Sequence, residues 1–277
     1  MDSTQKGPAG LPVTGNLTLA YVLSLVVAVV MALASVVGLL YPTVVYPADE
    51  LVQAFVPNDV VNLLIGVPIL LGSLWLAWRG KLLGVLFWPG ALFFVFYTYL
   101  VYVLSVPLNV AFLLHLTLVT VSGYTMIGLV ARIDGQAVHN RLAGMVPEKA
   151  GGGVLAGLGI LFFVRVAIVL VTALISPTPI DAADLALHVA DFLITPAWVI
   201  GGVLLWQRKA FGYVVGLGLL FHASMLFIGL IAAMILQPII TATPFDLIGV
   251  LVVFAMGLIC FVPFALFVRG AASKRDL

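Results

Sequence analysis

Eight runs of apolar residues, each long enough to cross a lipid bilayer, follow one another along this chain. A membrane helix needs about 20 consecutive apolar residues to cross roughly 30 Å of hydrocarbon. Water is absent from that layer, and an α-helix satisfies its own backbone hydrogen bonds there. The runs predict helices at about 17–41, 60–78, 82–105, 108–131, 154–176, 184–206, 211–236 and 245–269.

The composition excludes a soluble domain. Of the 277 residues, 64% are hydrophobic and 8% are charged, whereas charged residues make up about 25% of a typical soluble domain. The first apolar run continues through Val36 to Leu40. It is too long for the core of a signal peptide, so we expect an uncleaved first helix.

The basic residues predict how the helices are oriented. Of the 12 Lys and Arg residues, all except Arg165 fall in the loops after the even-numbered helices or in the two tails. The positive-inside rule therefore predicts cytoplasmic termini in a multi-pass protein of the cell membrane. The opposite loops contain no Lys or Arg, and their acidic residues are Asp49, Glu50, Asp59, Asp181, Asp184 and Asp246.

The two halves of the chain resemble each other. A shift of 128 residues superposes Pro68 on Pro196, Trp78 on Trp206, Lys81 on Lys209, Gly84 on Gly212 and Gly90 on Gly218. These matches indicate an internal duplication with four helices in each half. An even number of helices returns the chain to its starting side, so the repeats are parallel. We expect any shared site at their interface near the middle of the membrane.

The predicted fold is an all-α integral membrane protein whose eight transmembrane helices form two parallel four-helix repeats. A cytoplasmic tail at 1–16 precedes the first repeat at 17–131. A cytoplasmic linker at 132–153 leads to the second repeat at 154–269, and a cytoplasmic tail covers 270–277.

One basic residue, Arg165, falls near the middle of the fifth predicted helix. A charge at that depth costs about 2.5 to 3.5 kcal/mol on insertion scales, so Arg165 is expected to face the bundle and to have a partner. Asp191 lies inside the neighbouring sixth helix at a similar depth. We therefore predict an ion pair between Arg165 and Asp191.

A polar stripe is predicted on the sixth helix, where Asp184, His188, Asp191 and Thr195 are spaced to share one face. Capping of the helix is the alternative role for Asp184. Two histidines of other helices could join the stripe, although a lone membrane histidine is more often an interhelical hydrogen-bond partner than a ligand. The candidate binding residues are Arg165, Asp191, His188, His222, Thr195, Asp184 and His115.

The first half lacks these polar groups, which predicts a single asymmetric site weighted toward the second half. Asn58 and Asp59 follow Pro57, where one of them is predicted to cap the second helix. The segment 46–56 is predicted to form a short surface helix. The third helix is rich in aromatic residues, which could accept a quinone tail or lipid. It is more simply explained by helix packing, with Tyr99 and Tyr102 at the membrane interface.

Three classes of function fit these features. A transporter or channel that passes a cation, a proton or a small solute is favoured by the repeat and the polar stripe. A redox subunit could bind quinone, or bind haem through two of His115, His188 and His222. A non-catalytic membrane partner would use its polar groups only to fix helix register.

No catalytic motif supports an enzyme, since His-Glu-x-x-His and Gly-x-Ser-x-Gly are both absent. His188, His222 and Asp191 could hold a metal, but their spacing does not match a zinc signature. The single Cys260 excludes a disulfide within the chain. The sequence requires no cofactor and suggests no nucleic-acid partner. The partners it implies are the lipid bilayer and a possible small solute or ion.

Overall fold

The structure, a computed structural model, describes residues 11–175, 180–241 and 243–272. Within these ranges, eight helices are long and apolar enough to cross a membrane, which confirms the prediction of an all-helical multi-pass protein. They are α1 (Thr18–Leu40), α2 (Asp49–Trp78), α3 (Leu82–Ser105), α4 (Val110–Val130), α5 (Glu148–Ile175), α6 (Ala182–Trp206), α7 (Ala210–Ile240) and α8 (Leu247–Ala272). Short helices at Pro42–Val45 and Gly135–Leu142 lie in the connections.

The outer surface of the bundle is apolar. Large hydrophobic side chains such as Val29, Leu113, Ile168 and Leu251 are more than half exposed. Water would disfavour so continuous an apolar surface, whereas lipid chains solvate it. The helices therefore contact the lipid bilayer.

The start of α2 differs from the sequence prediction. The helix begins at Asp49, after an extended Ala48, and passes through Pro57. Asp49 and Glu50 occupy its first turn, where acidic side chains suit the helix dipole. The segment 46–56 is therefore not a separate surface helix, and Asp59 is not a helix cap. Further along, α2 contains a π-helical turn at Asn62–Gly66.

The first and second halves meet mainly along four helices. Helix α3 packs against α6 and α7, and α7 also packs against α2. At the crossing of α3 and α7, Gly90 lies against the backbone of Gly218, so a side chain at Gly90 would overlap that backbone. Helices α1 and α4 pack together outside this interface in the first half, as α5 and α8 do in the second.

Two tight turns have the same geometry at positions related by the 128-residue shift. Gly80 and Arg208 both have positive φ, at 71° and 58°, and a residue other than glycine rarely adopts this conformation. In the next residue of each turn, Lys81 N donates to Leu76 O at 3.0 Å and Lys209 N donates to Leu204 O at 2.9 Å. The two turns therefore share one backbone geometry. Gly90 and Gly218, which contact each other, are related by the same 128-residue shift.

The connection between the halves is anchored by a buried acid. Helix α5 begins at Glu148, earlier than predicted. The Glu148 carboxylate accepts hydrogen bonds from Gly144 N at 2.7 Å and Tyr213 Oη at 2.9 Å. It also pairs with Arg208 at 3.7 Å. The connection is thereby fixed to the turn between α6 and α7. Of the basic residues used to predict orientation, Lys6, Lys274 and Arg275 lie outside the described residues.

Candidate functional site

A cavity of about 300 Å³ lies between the two halves. Residues of α2 and α3 line one side of it, and residues of α5, α6 and α7 line the other. Along α6 the lining extends from Ala183, at the helix start, to Trp198. Along α3 it extends from Tyr102 to Phe94 and stops before Gly90. The cavity therefore reaches inward from the acidic end of the bundle and ends before the crossing of α3 and α7.

Asp191 lies on the wall of this cavity and accepts a hydrogen bond from the first half of the chain. The hydroxyl of Tyr97, on α3, donates to Asp191 Oδ1 at 2.7 Å. Thr195, also on the wall, donates its hydroxyl to the Asp191 backbone carbonyl at 2.8 Å. Thr195 is thus occupied within its own helix, whereas Asp191 Oδ2 has no hydrogen-bond donor among the residues that the structure describes.

The predicted ion pair between Arg165 and Asp191 is wrong. Both residues line the cavity, and Arg165 is exposed. Among the residues that the structure describes, however, the ion pair formed is Arg208 with Glu148. Tyr97 occupies the position expected of Arg165 because α3, from the other half, packs directly against α6. The prediction considered the helix next to α6 in the sequence, and it therefore overlooked α3.

The polar stripe of α6 is only partly directed into the cavity. Asp184, Asp191 and Thr195 line it, and His188 does not. Asp184 is exposed near the helix start, in the first turn of α6. Its position therefore fits both the capping role and a place at the entrance of the cavity.

His222 and His115 are fully buried but have different surroundings. His222 Nδ1 accepts a hydrogen bond from Trp198 Nε1 at 3.1 Å, the interhelical role that a membrane histidine most often has. Neither ring nitrogen of His115 has a partner within the described part of the chain. Its ring lies 5.0 Å from that of Tyr102 and 5.6 Å from that of Tyr99.

The predicted haem and metal ligands are not grouped at the cavity. None of His115, His188 and His222 lines it. In the described ranges, no three side chains of His, Cys, Asp or Glu come together as metal ligands. The cavity wall therefore presents carboxylate, guanidinium, hydroxyl and amide groups on an otherwise apolar surface.

A second polar cluster, in the first half, was missed by the sequence analysis. Asp59 is 1% exposed. Tyr46 Oη donates to its Oδ2 at 2.7 Å, and Tyr102 Oη donates to its Oδ1 at 3.2 Å. Burial, with the adjacent Asp59, raises the pKa of Tyr46, so this phenol keeps its proton and acts as a donor. The position of Asp59 after Pro57 suggested a helix cap and concealed this role.

Other polar groups surround this pair. Ser35 Oγ and Tyr99 Oη lie 3.2 Å apart, and Asn62 Nδ2 donates to Tyr102 Oη at 3.4 Å. Tyr99 and Tyr102 are buried, so the prediction that they lie at the membrane interface is wrong. Gly38 of α1 leaves room for the carboxyl, since a side chain there would overlap Asp59 Oδ2. We call Ser35, Tyr46, Asp59, Asn62, Tyr99, Tyr102 and His115 the Asp59 cluster.

The Asp59 cluster adjoins the cavity without opening into it. Tyr102 and Asn62 line the cavity, whereas Asp59 and Tyr46 do not. Asp59 is therefore one side chain away from the cavity, with Tyr102 between them.

In comparisons with protein-family models, curated proteins and solved structures, nothing matches this chain.

Proposed function

We propose that this protein is a transporter that carries a small cationic or polar solute through the membrane. The observation that carries the proposal is the cavity between the halves, with Asp191 and Arg165 on its wall and no direct ion pair between them. Ionisable residues at membrane depth are costly and commonly mark the pathway of a substrate or ion. Unpaired with each other, the two groups are free to contact a solute.

The acidic end of the cavity favours a solute with positive charge. Asp184 lies at the entrance, and Asp191 lies deeper on the same helix. Aromatic side chains on the wall, such as Phe94 and Trp198, add surfaces that attract organic cations. Arg165 would repel a simple cation at close range, so a solute that also carries an anionic or acceptor group fits best.

The shape of the cavity favours a transporter over an open channel. Its lining ends before the glycine crossing of Gly90 and Gly218, where the backbones of α3 and α7 are in close contact. A solute that enters from the acidic end therefore has to wait for the halves to move. Such movement of one repeat against the other around a central site is how many transporters with internal repeats work.

The proposal includes two parallel four-helix repeats with both termini in the cytoplasm. The matched turns at Gly80 and Arg208 support the repeat. The basic loops support the orientation through the positive-inside rule. On this proposal, the cavity opens to the non-cytoplasmic side.

Labelling of introduced cysteines tests the cavity and its orientation together. Cys260 is buried and is replaced by serine to give a background without cysteine. Thr98→Cys then places a thiol on the cavity wall. A charged, membrane-impermeant thiol reagent added from the non-cytoplasmic side should label Thr98→Cys, because the thiolate forms only where water is present.

Thr117→Cys is the matched control. Thr117 is exposed on α4, outside the cavity, and lies as far from its helix end as Thr98 does from the end of α3. In lipid its thiol should stay unlabelled. Flux of guanidinium, choline and sodium is then measured in liposomes. The reagent should stop flux through Thr98→Cys and spare Thr117→Cys. Equal labelling of the two cysteines, or flux that survives labelling of Thr98→Cys, contradicts the proposal.

A further inference from the structure

The Asp59 cluster is not explained by solute binding, because its carboxyl group does not reach the cavity. We propose that Asp59 is a proton-binding site that exchanges its proton with the cavity through the hydroxyl of Tyr102. The inference rests on the proposed function, since it names the proton as the ion coupled to transport. Its test detects the proton on Asp59 directly and does not require a transported solute.

The carboxyl group of Asp59 is buried with no cationic side chain paired to it among the described residues, and this favours its protonated form. The carboxyl group is almost completely buried, and in the described ranges no Lys or Arg forms an ion pair with it. An ionised carboxylate that is buried in this way is costly, and such groups neutralise by taking up a proton. Proton relays of membrane pumps and transporters use buried carboxyl groups for this reason.

The groups that face Asp59 from each neighbouring element supply no formal positive charge. Tyr46 precedes α2, Tyr99 and Tyr102 belong to α3, and His115 belongs to α4. From α1, Ser35 contacts the Tyr99 hydroxyl. Among the residues that the structure describes, His115 has no acceptor at either ring nitrogen that would stabilise a second proton on the ring. The proton is therefore best accommodated by Asp59 itself.

The hydrogen bonds accommodate Asp59 with and without a proton. The carboxylate accepts one hydrogen bond from Tyr46 and one from Tyr102. When Asp59 is protonated at Oδ1, it donates to the oxygen of Tyr102. The Tyr102 hydroxyl then turns its own proton to the backbone carbonyl of Phe55, 3.4 Å away. Neither state leaves a buried hydroxyl without a partner.

Tyr102 also provides the route to water. It lines the cavity beside Asn62, whose amide donates to the same hydroxyl. In the release step, Asp59 gives its proton to the Tyr102 oxygen as Tyr102 gives its own proton to a water molecule in the cavity. The O–H bond of Asp59 breaks, the Tyr102 oxygen gains one O–H bond as it loses another, and a new O–H bond forms on the water, leaving a carboxylate and a hydrated proton. The reverse sequence reloads the site.

Infrared spectroscopy of the full-length protein in lipid tests the proton on Asp59. At neutral pH, the carbonyl stretch of a protonated carboxyl group should be present in the unmodified protein. It should be lost in Asp59→Asn, whose side chain has nearly the same shape. The exposed Asp184 gives the matched control, Asp184→Asn, which should retain the band. A band that is unchanged in Asp59→Asn overturns the proposal.

A second pair of variants tests the route and retains the carboxyl group. Tyr102→Phe and Tyr46→Phe each remove one hydroxyl from Asp59, but only Tyr102 lines the cavity. After transfer to D₂O, exchange of the Asp59 proton should be about tenfold slower in Tyr102→Phe than in Tyr46→Phe, the effect of about 1.4 kcal/mol in the barrier. Equal exchange rates overturn the route. An intact Asp59 band without labelling of Thr98→Cys would instead contradict the cavity function and leave the proton site standing.

Discussion

Asp59 of α2 is buried and Asp191 of α6 is partly buried, and the two acids have opposite surroundings. The 128-residue shift aligns Asp191 with Leu63, one helical turn beyond Asp59. Asp59 is enclosed by two tyrosine hydroxyls of its own half. Asp191 accepts one tyrosine hydroxyl from the other half and faces the cavity. Similar positions in the two halves thus give one enclosed acid and one acid open to a solute.

Helix α3 connects these two sites. Tyr102 donates to Asp59 and Tyr97 donates to Asp191, and both tyrosines line the cavity. A shift of α3 along or around its axis would alter both hydrogen bonds together. Such a shared element is what coupling between a proton and a solute requires, since each site must bias the same movement.

The comparison is tested most strongly by replacing each acid with leucine. Asp59→Leu leaves the hydroxyl of Tyr46 without its acceptor, whereas Tyr102 can turn its proton to the Phe55 carbonyl. A buried unsatisfied group costs about 1 to 3 kcal/mol, so the free energy of unfolding should fall by roughly 2 kcal/mol or more. Asp191→Leu should cost about 1 kcal/mol, because water in the cavity can accept from Tyr97.

Reversible unfolding of the purified variants in detergent micelles measures both changes. The unmodified protein is the reference, and Asp184→Leu at the exposed cavity entrance is the control for loss of one acidic side chain. Equal losses for Asp59→Leu and Asp191→Leu would show that the two acids do not differ in their access to water.

A smaller effect is expected from the glycine that makes room for Asp59. In Gly38→Ala the new methyl group would overlap Asp59 Oδ2 and crowd the Tyr46 hydroxyl. Overpacking of this kind costs about 1 to 3 kcal/mol. Gly72 of α2 has open space at the corresponding atom, so Gly72→Ala should leave stability unchanged or slightly raise it. Unfolding curves should show a lower free energy of unfolding for Gly38→Ala than for Gly72→Ala. Equal stability of the two variants would mean that the Asp59 cluster is loosely packed.

The helices could be predicted from the sequence because each span depends on local hydrophobicity. Apolar runs of the required length identify all eight, and the main errors are the starts of α2 and α5. At Asp49, acidic residues and Pro57 suggested a surface segment, although the described helix continues through them. Local polarity does not indicate that neighbouring helices will cover a residue.

The site was harder to predict because its partners come from distant helices. Asp191 was identified from its depth in the membrane, but its hydrogen-bond donor, Tyr97, lies in the other half of the chain. The position of Asn58 and Asp59 after Pro57 predicts that one of them is a cap, and the tyrosines that enclose Asp59 are far away in sequence or separated by a turn. Aromatic residues on α3 were the available signal, since buried tyrosines need acceptors.

The smallest expected effect is a coupling energy, which distinguishes Tyr97, the partner of Asp191 in the structure, from Arg165, the partner predicted from the sequence. Double-mutant cycles combine Asp191→Leu with either Tyr97→Phe or Arg165→Leu and measure the free energy of unfolding of each variant. The hydrogen bond of 2.7 Å between Tyr97 and Asp191 should give a coupling of about 1 kcal/mol. Arg165 shares the cavity but does not form an ion pair with Asp191, so its coupling should be smaller than that of Tyr97. A larger coupling to Arg165 than to Tyr97 would favour the ion pair as the main interaction of Asp191 and contradict the contrast with Asp59, whose partners are tyrosine hydroxyls.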